Sequence, residues 1–282
     1  MFGWFSAAIL GIGFVVIGPL RAQDLVTSGS TVAVPFELTS DFLIVVEGQV
    51  GNLRGLKFIV DTGATHSVID RSVALKLRLR RHAAKVMNFD RFVSLEYADV
   101  PDLQIGPLQA HRLRIKVANL LEYSEFAKGV DGLVGLDVLA RSQKFTIDYM
   151  RRNLYIQRTV GEISFKVPSL LVVPVMIQGT TLRLGVDTGL SEILLFADRL
   201  KKYGGNIRTV GEPEPVVMGR IQGKKLALPG VQLGRHEAAL QVILIDGPPE
   251  RVIPEINGFL GIASFHPSII TFDFANRILQ WQ

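Results

Sequence analysis

The chain has 282 residues, of which 48% are apolar, and it carries a formal net charge of +5 and no cysteine. This length and apolar content allow one large or two smaller domains with cores of their own. The absence of cysteine excludes disulfides, thiol nucleophiles and cysteine-based metal sites. The net charge is modest for this length, so we predict no nucleic-acid partner.

The histidines indicate no metal site either. All five are scattered along the sequence, and no His-Glu-x-x-His pattern or other paired-ligand spacing occurs. We therefore predict that the protein uses no metal and no cofactor. His66 is singled out for another reason, because it lies five residues after Asp61, the first acid of the motif analysed below.

The N-terminal segment, residues 2–20, is apolar and contains no charged residue. Gly18 and Pro19 would end a helix just before Leu20 and Ala22, which stand where small or apolar residues precede a signal-peptide cleavage site. The segment lacks a basic leading end and is long for a signal peptide, so an uncleaved anchor is the alternative. We interpret residues 1–22 as a signal peptide or an N-terminal membrane anchor. The globular part is then predicted to be exported, periplasmic or secreted, or else held at the membrane through residues 2–20.

The first half of the globular part alternates short apolar runs with turn residues, which is typical of an all-β fold. After a polar lead-in at 24–40, a strand at 42–46 is followed by a strand at 56–60 that ends at Asp61. Helical spacing of apolar residues predicts one short helix over 73–77. The other predicted elements are a hairpin at 86–97, strands at 103–106 and 113–117 with one solvent-facing side, a helix at 136–140 and a hairpin at 145–156.

The second half repeats this order after a predicted connector at 159–168. An apolar run at 171–177 turns at Gln178-Gly179, and the next run, 182–186, ends at Asp187. The other predicted elements are a helix at 193–203, a hairpin at 216–223, a strand at 231–234 and closing strands at 269–273 and 278–281.

Two motifs recur at one offset, which indicates a duplicated unit. Asp61-Thr62-Gly63 recurs as Asp187-Thr188-Gly189, 126 positions later (187 minus 61). Gly132-Leu133-Val134-Gly135 recurs as Gly258-Phe259-Leu260-Gly261, again after 126 positions (258 minus 132). One Asp-Thr-Gly is a weak signal, but two different motifs displaced equally are not expected by chance.

A pair of carboxylates suits peptide hydrolysis without a metal or a covalent nucleophile. That reaction needs a base to activate water and an acid to polarise the carbonyl, and one carboxyl group cannot hold both states. Two carboxyls a few ångströms apart share one proton, because both cannot ionise cheaply. Glycines after the acids would let the two turns approach without a collision between Cβ atoms.

The Asp-Thr-Gly turn followed by an apolar-apolar-Gly block resembles the pepsin and retropepsin aspartic peptidases, over the whole chain after its N-terminal segment. The resemblance implies an all-β fold with two similar β-barrel lobes, 23–158 and 159–282, on either side of a central active-site cleft. It also implies an endopeptidase that acts on proteins or peptides. Because both halves of the site lie in one chain, we predict a monomer.

The resemblance also assigns the site residues. Asp61 and Asp187 would be the catalytic acids, and Thr62, Gly63, Thr188 and Gly189 would support them, with each threonine bonding across to the opposite turn. Hairpins would act as flaps over the cleft. The candidate flap residues that contact substrate are Phe89, Phe92, Tyr97, Met218 and Ile221.

Two positions depart from the digestive pepsins, which carry a hydroxyl residue after each Asp-Thr-Gly. Ala64 occupies the first position, as in retropepsins, and Leu190 the second, where it is bulkier than either pattern. Neither side chain has a hydroxyl that could donate a hydrogen bond and lower an aspartate pKa, so we predict an activity optimum at mildly acidic to near-neutral pH. The alternative function is a pepsin-like protein that binds peptides without cutting them, against which both intact Asp-Thr-Gly motifs argue.

Overall fold

Strands dominate the computed structural model of the chain, in which residues 15–16, 31–88, 91–122, 128–157, 170–202, 210–218, 221–234, 236–246 and 256–282 are described. Three short helices are the only α-helices among these residues. The all-β prediction is therefore confirmed.

The first half of the chain supplies eleven of the described strands and two of the helices. The strands are β1 Val15–Val16, β2 Thr31–Thr39, β3 Leu43–Val50, β4 Leu53–Val60, β5 Val68–Asp70, β6 Arg81–Asn88, β7 Arg91–Ile105, β8 Leu108–Ala118, β9 Gly132–Val134, β10 Lys144–Asp148 and β11 Asn153–Gln157, and the helices are α1 Arg71–Lys76 and α2 Leu136–Leu139.

The second half supplies the remaining described elements. The strands are β12 Val172–Ile177, β13 Thr180–Asp187, β14 Ile193–Phe196, β15 Val210–Met218, β16 Ile221–Leu233, β17 His236–Ile245, β18 Gly258–Gly261, β19 Ile269–Asp273 and β20 Ile278–Trp281, and the helix is α3 Ala197–Lys202.

The two halves have the same strand order. Neighbouring strands in the first half run β3-β4-β9-β5-β8-β7-β6, and those in the second run β12-β13-β18-β14-β17-β16-β15. Pairing of β3 with β7, and of β12 with β16, closes each set into a six-stranded barrel with one further strand outside it. The duplicated β-barrel lobes predicted from the sequence are therefore confirmed.

The barrel interiors form the hydrophobic core, and the strands that end at the two aspartates run through it. Phe58 and Val60 on β4 are fully buried, as is Leu184 on β13, with Val186 almost so. Such continuous apolar runs are typical of strands that are covered on both faces. Because the final residues of both strands are buried on both faces, the positions of the acids that follow are fixed too.

A sheet shared by both halves joins the lobes. Strands β19 and β20 of the second half continue the first half's sheet through the antiparallel pairing of β10 with β19. At the centre of this pairing the Phe145 and Phe272 rings stack 4.6 Å apart. The Thr146 and Thr271 hydroxyls are hydrogen-bonded at 2.8 Å beside them. The boundary predicted between residues 158 and 159 lies outside the described residues and stays a prediction.

The helix predicted at 193–203 is wrong for its first part. Ile193–Phe196 is strand β14, which lies between β17 and β18, and only Ala197–Lys202 is helical. Four consecutive apolar residues can form a buried strand or a buried helix. Here they form a strand, because they pair with β17 on one side and β18 on the other.

The structure describes only Val15 and Val16 of the predicted N-terminal segment. Residues 1–14 and 17–30 lie outside the described residues, and Val15–Val16 pairs in parallel with Ile278 and Leu279 of β20. No helix in the described part of the chain combines the length and apolar character that a bilayer span requires.

We expect Phe145→Ala to lower the free energy of unfolding by about 3–5 kcal/mol, because it opens a cavity in the sheet that joins the lobes. Urea unfolding followed by tryptophan fluorescence measures this. Met150→Ala, in the same hairpin at 78% exposure, is the matched control and should stay within about 0.5 kcal/mol of wild type. A loss for Phe145→Ala as small as that of the control would contradict the expectation.

Candidate active site

Strands β4 and β13 each end at an acid, and each is held by a glycine-flanked strand beside it. Strand β4 pairs in parallel with β9, and the Asp61 amide donates to the Val134 carbonyl at 3.0 Å. In the second lobe β13 pairs in parallel with β18, with Asp187 opposite Gly261. The two apolar-apolar-Gly blocks therefore support the turns that follow the strands.

The two carboxyl groups meet between Gly63 and Gly189. A Cβ atom added to Gly189 would lie 3.1 Å from Asp187 Oδ1 and 3.3 Å from Asp61 Cγ. One added to Gly63 would overlap the Asp187 carboxyl group. The close approach predicted for these glycines is a steric requirement, because any side chain at Gly63 would displace an acid.

Reciprocal hydrogen bonds between the threonines lock the two turns together. The Thr62 amide donates to Thr188 Oγ1, and the Thr188 amide donates to Thr62 Oγ1, each at 3.1 Å. The hydroxyls in turn donate across the lobes, from Thr62 to the Val186 carbonyl at 3.0 Å and from Thr188 to the Val60 carbonyl at 2.9 Å. Four buried hydrogen bonds thus connect the lobes directly beneath the acids.

Within each turn, an amide holds the carboxyl group in place. The Gly63 amide donates to Asp61 Oδ1 at 2.8 Å, and the Gly189 amide donates to Asp187 Oδ1 at 2.7 Å. Both acids are about 95% buried. The structure therefore brings together all six residues predicted for the site and its support.

Burial and proximity separate the protonation behaviour of the two acids. Burial raises the pKa of Asp61 to about 6, although hydrogen bonds from Gly63, Asp187 and Ala64 favour its charged form. Burial, the charge of Asp61 and a hydrogen bond to Asp61 raise the pKa of Asp187 well above its ordinary value, against the Gly189 amide. The two carboxyl groups therefore share one proton over a range of pH, and they titrate as a unit.

The residues after the glycines give the acids apolar surroundings. Ala64 is fully buried and Leu190 is 92% buried. The Ala64 carbonyl accepts from the Leu136 amide at 2.8 Å, which ties the first turn to α2. Because neither side chain has a hydroxyl, only the backbone amide of Ala64 offsets the desolvation of Asp61 at these positions.

The predicted flap residues stay predictions. Phe89 lies outside the described residues. Phe92 lies on β7 opposite Met87, and Met218 and Ile221 face each other at the end of the β15–β16 hairpin, but only their backbone is described. Tyr97, the remaining candidate, lies on β7 between His82 and Lys116 of the neighbouring strands.

A buried polar cluster beside the first turn was not predicted. Ser67, fully buried, donates to Asp137 through its amide at 2.9 Å and its hydroxyl at 2.6 Å. Lys116 is only 2% exposed, so the solvent-facing side predicted for strand 113–117 is wrong at this residue. The sequence did offer a signal for Asp137, which lies two residues after the glycine block that ends at Gly135. Nothing in the alternation of apolar and polar residues along β8 marks Lys116 as buried.

His66 is uncharged at neutral pH. Burial and the charge of Lys116 lower its pKa to about 4, so it cannot act as a cation on Asp61 near neutrality. Its Nδ1 atom is hydrogen-bonded to Thr65 Oγ1 at 3.0 Å. Across the described ranges, no three His, Asp or Glu side chains are grouped in a way that could hold a metal ion.

Comparison with known proteins gives a family match to the first lobe. Residues 46–138, about a third of the chain, match the family model described as aspartyl protease. This segment contains both first-lobe motifs, so the predicted resemblance is confirmed, and the match supports aspartic protease activity. Among solved structures, the chain is similar to a retropepsin-like aspartic protease from Rickettsia conorii, at 20% identity and a TM-score of 0.34, over 47% of this chain and 97% of that one. A search of curated proteins found no match.

We expect Thr62→Val to destabilise the protein, because it removes a donor to the Val186 carbonyl and an acceptor for the Thr188 amide. Each buried group left without a partner costs about 1–3 kcal/mol. Urea unfolding measures the loss, and Thr181→Val, at an exposed position of the strand that carries Asp187, is the matched control. Equal stabilities of the two variants would show that the bonds between the lobes do not hold the turns together.

Proposed function

We propose that the protein is an aspartic endopeptidase in which Asp61 and Asp187 activate water and share one proton. The observation that carries the proposal is the contact of two buried carboxyl groups from duplicated turns, held together by the Thr62–Thr188 hydrogen bonds. The family match of the first lobe supports the same reaction class.

The different environments of the two acids suggest their roles. Burial and the charge of Asp61 raise the pKa of Asp187, so Asp187 is proposed as the protonated acid that donates to the carbonyl oxygen of the substrate, while Asp61 takes the proton of the attacking water. The product of this step is a tetrahedral diol. On its collapse, Asp61 returns its proton to the leaving nitrogen and Asp187 recovers one from a diol hydroxyl, so the pair ends as it began.

The remaining features of the proposal concern substrate, assembly and location. The substrate is a protein or peptide, bound in the cleft under the two hairpins. A monomer suffices, since both turns come from one chain. We also propose export to the periplasm or medium, or attachment to the membrane, from the apolar character of residues 2–20.

We expect Asp61→Asn and Asp187→Asn each to reduce kcat by about a thousandfold or more, because either change removes one half of the acid–base pair. Cleavage of a mixed peptide library by purified protein measures this. The thermal unfolding of both variants should remain cooperative, which separates lost chemistry from lost fold.

The same library tests the alternative function. A non-catalytic peptide-binding protein would bind members of the library, yet wild type would release no products. Near-normal turnover by either asparagine variant would contradict the assignment of a shared-proton pair.

We expect kcat/KM to fall as the pH drops through about 6, because protonation of Asp61 removes the base. Activity is lost again at higher pH, once the shared proton leaves Asp187. Ala64→Ser and Leu190→Thr add hydroxyl donors that favour the charged acids, so each should shift the profile toward acid, and together they should shift it further.

Leu190→Val is the matched control for the pH experiment, because it has the shape of threonine without the hydroxyl. It should leave the profile at its wild-type position. A wild-type acid limb centred below the ordinary aspartate pKa of about 4 would contradict the expectation.

A further inference from the structure

Asp137 holds the chain segment that follows the first turn. Its Oδ1 atom accepts the Ser67 amide at 2.9 Å and the Ser67 hydroxyl at 2.6 Å, and its Oδ2 atom accepts the same amide at 3.0 Å. The Ser67 hydroxyl also accepts the Gly135 amide at 3.0 Å. Both side chains are buried. We call the hydrogen bonds that Asp137 and Gly135 make to Ser67 the polar clamp.

The polar clamp lies at one end of residues 64–67, and the first turn lies at the other. The Ala64 amide donates to the Asp61 carboxyl group. The carbonyl of Ala64 accepts the Leu136 amide at 2.8 Å. A Cβ atom added to Gly135 would lie only 2.7 Å from this carbonyl oxygen, so the two backbones are in close contact. The segment is therefore held at both ends.

The second lobe has no polar side chains in the places that form the clamp. By the offset of 126 that relates the glycine blocks, the counterparts of Ser67 and Asp137 are Ile193 (193 minus 67) and Ala263 (263 minus 137). Neither has a hydroxyl or carboxyl group. The polar clamp is therefore a feature of the lobe that carries Asp61.

We propose that Asp137 is a positioning residue for Asp61, which acts through Ser67 and keeps the Ala64 amide on the Asp61 carboxyl group. The inference rests on the proposed function and deepens it. It names the contacts that favour Asp61, rather than Asp187, as the base of the pair.

The physical reason is the dependence of a carboxyl pKa on backbone donors. A carboxylate that accepts two or three backbone amides can have a pKa about two units below normal, so one amide contributes about half a unit to one unit. Burial raises the pKa of Asp61 to about 6 even with the Gly63 and Ala64 amides in place. Withdrawal of the Ala64 amide would raise that pKa further, and the base would be protonated at a higher pH.

Loss of the Asp137 carboxylate would release residues 64–67 from the clamp. The carbonyl of Ser67 accepts the Lys116 amide at 3.2 Å, and its amide and hydroxyl donate to Asp137. Without the carboxylate, these two donors would be buried and unsatisfied, which is costly. The segment would relax toward new partners, and the Ala64 amide would move with it.

A purely electrostatic role of Asp137 would have the opposite effect. Burial raises the pKa of Asp137, whereas its hydrogen bonds and the charges of Arg141 and Lys116 favour the ionised form. His66, in the same segment, is neutral near pH 7, because burial lowers its pKa to about 4. If Asp137 acted on Asp61 by charge alone, its removal would lower the pKa of Asp61. The direction of the shift therefore separates the two roles.

The test is the pH dependence of kcat/KM for a peptide that the full wild-type chain cleaves. We expect Asp137→Asn to shift the acid limb to higher pH by about half a unit to one unit. Ser67→Ala changes no charge and should shift the limb in the same direction. KM on the plateau should stay close to that of wild type, because both residues are buried.

Ser142→Ala is the matched control. Ser142 is also a fully buried serine of the first lobe, and its hydroxyl donates to the Lys144 carbonyl. The variant should unfold at a lower urea concentration than wild type but keep the wild-type acid limb. It thereby separates a general loss of stability from an effect on Asp61.

Ser67→Ala keeps the test decisive if Asp137→Asn does not fold, because it retains the carboxylate and the amide at position 67. An acid limb that stays in place or moves to lower pH in either folded variant would overturn the inference and leave the peptidase intact. Absence of cleavage of any peptide by wild type would instead overturn the proposed function.

Discussion

The contact between two buried carboxyl groups is the constraint on which the rest of the site depends. Two ionised carboxylates in contact repel strongly in a medium of low polarity, and a shared proton removes most of that repulsion. Such an arrangement is stable only if the backbone does not relax. The reciprocal Thr62–Thr188 hydrogen bonds prevent relaxation because they fix the spacing of the two turns. The glycines at the contact leave room for the two carboxyl groups at that spacing.

The lobes serve this constraint in different ways despite their common topology. In the first lobe the turn is tied to α2 by Leu136 and by the Ser67–Asp137 hydrogen bonds. In the second, apolar packing around Ile193 and Leu195 takes the place of those polar contacts. A duplicated fold therefore supports its two acids equally in geometry, but surrounds them with unequal electrostatics.

How far the sequence predicts the structure depends on whether the information is local. The strands ending at Asp61 and Asp187 were predictable, because apolar runs, turn glycines and a common offset all lie in short stretches of sequence. The burial of Lys116 was not, since alternation along β8 places it on the outer face and only packing from other segments covers that face. The prediction for residues 193–196 was wrong for a related reason, because four apolar residues do not specify whether a strand or a helix fills the space between β17 and β18. The entry of β19 into the first sheet likewise depends on a pairing between strands that lie 125 residues apart at Thr146 and Thr271.

The shared sheet has a consequence for the order of events during synthesis. Strand β10 has only β11 beside it until residues 269–273 have left the ribosome, and the Phe145 ring has no Phe272 ring to stack on before then. The first barrel can close earlier, since all six of its strands are made by residue 134. Nascent chains can therefore hold a closed first barrel with an open sheet edge and with Asp61 still without Asp187 beside it. The two acids are held together in their final positions only after nearly the whole chain has been translated.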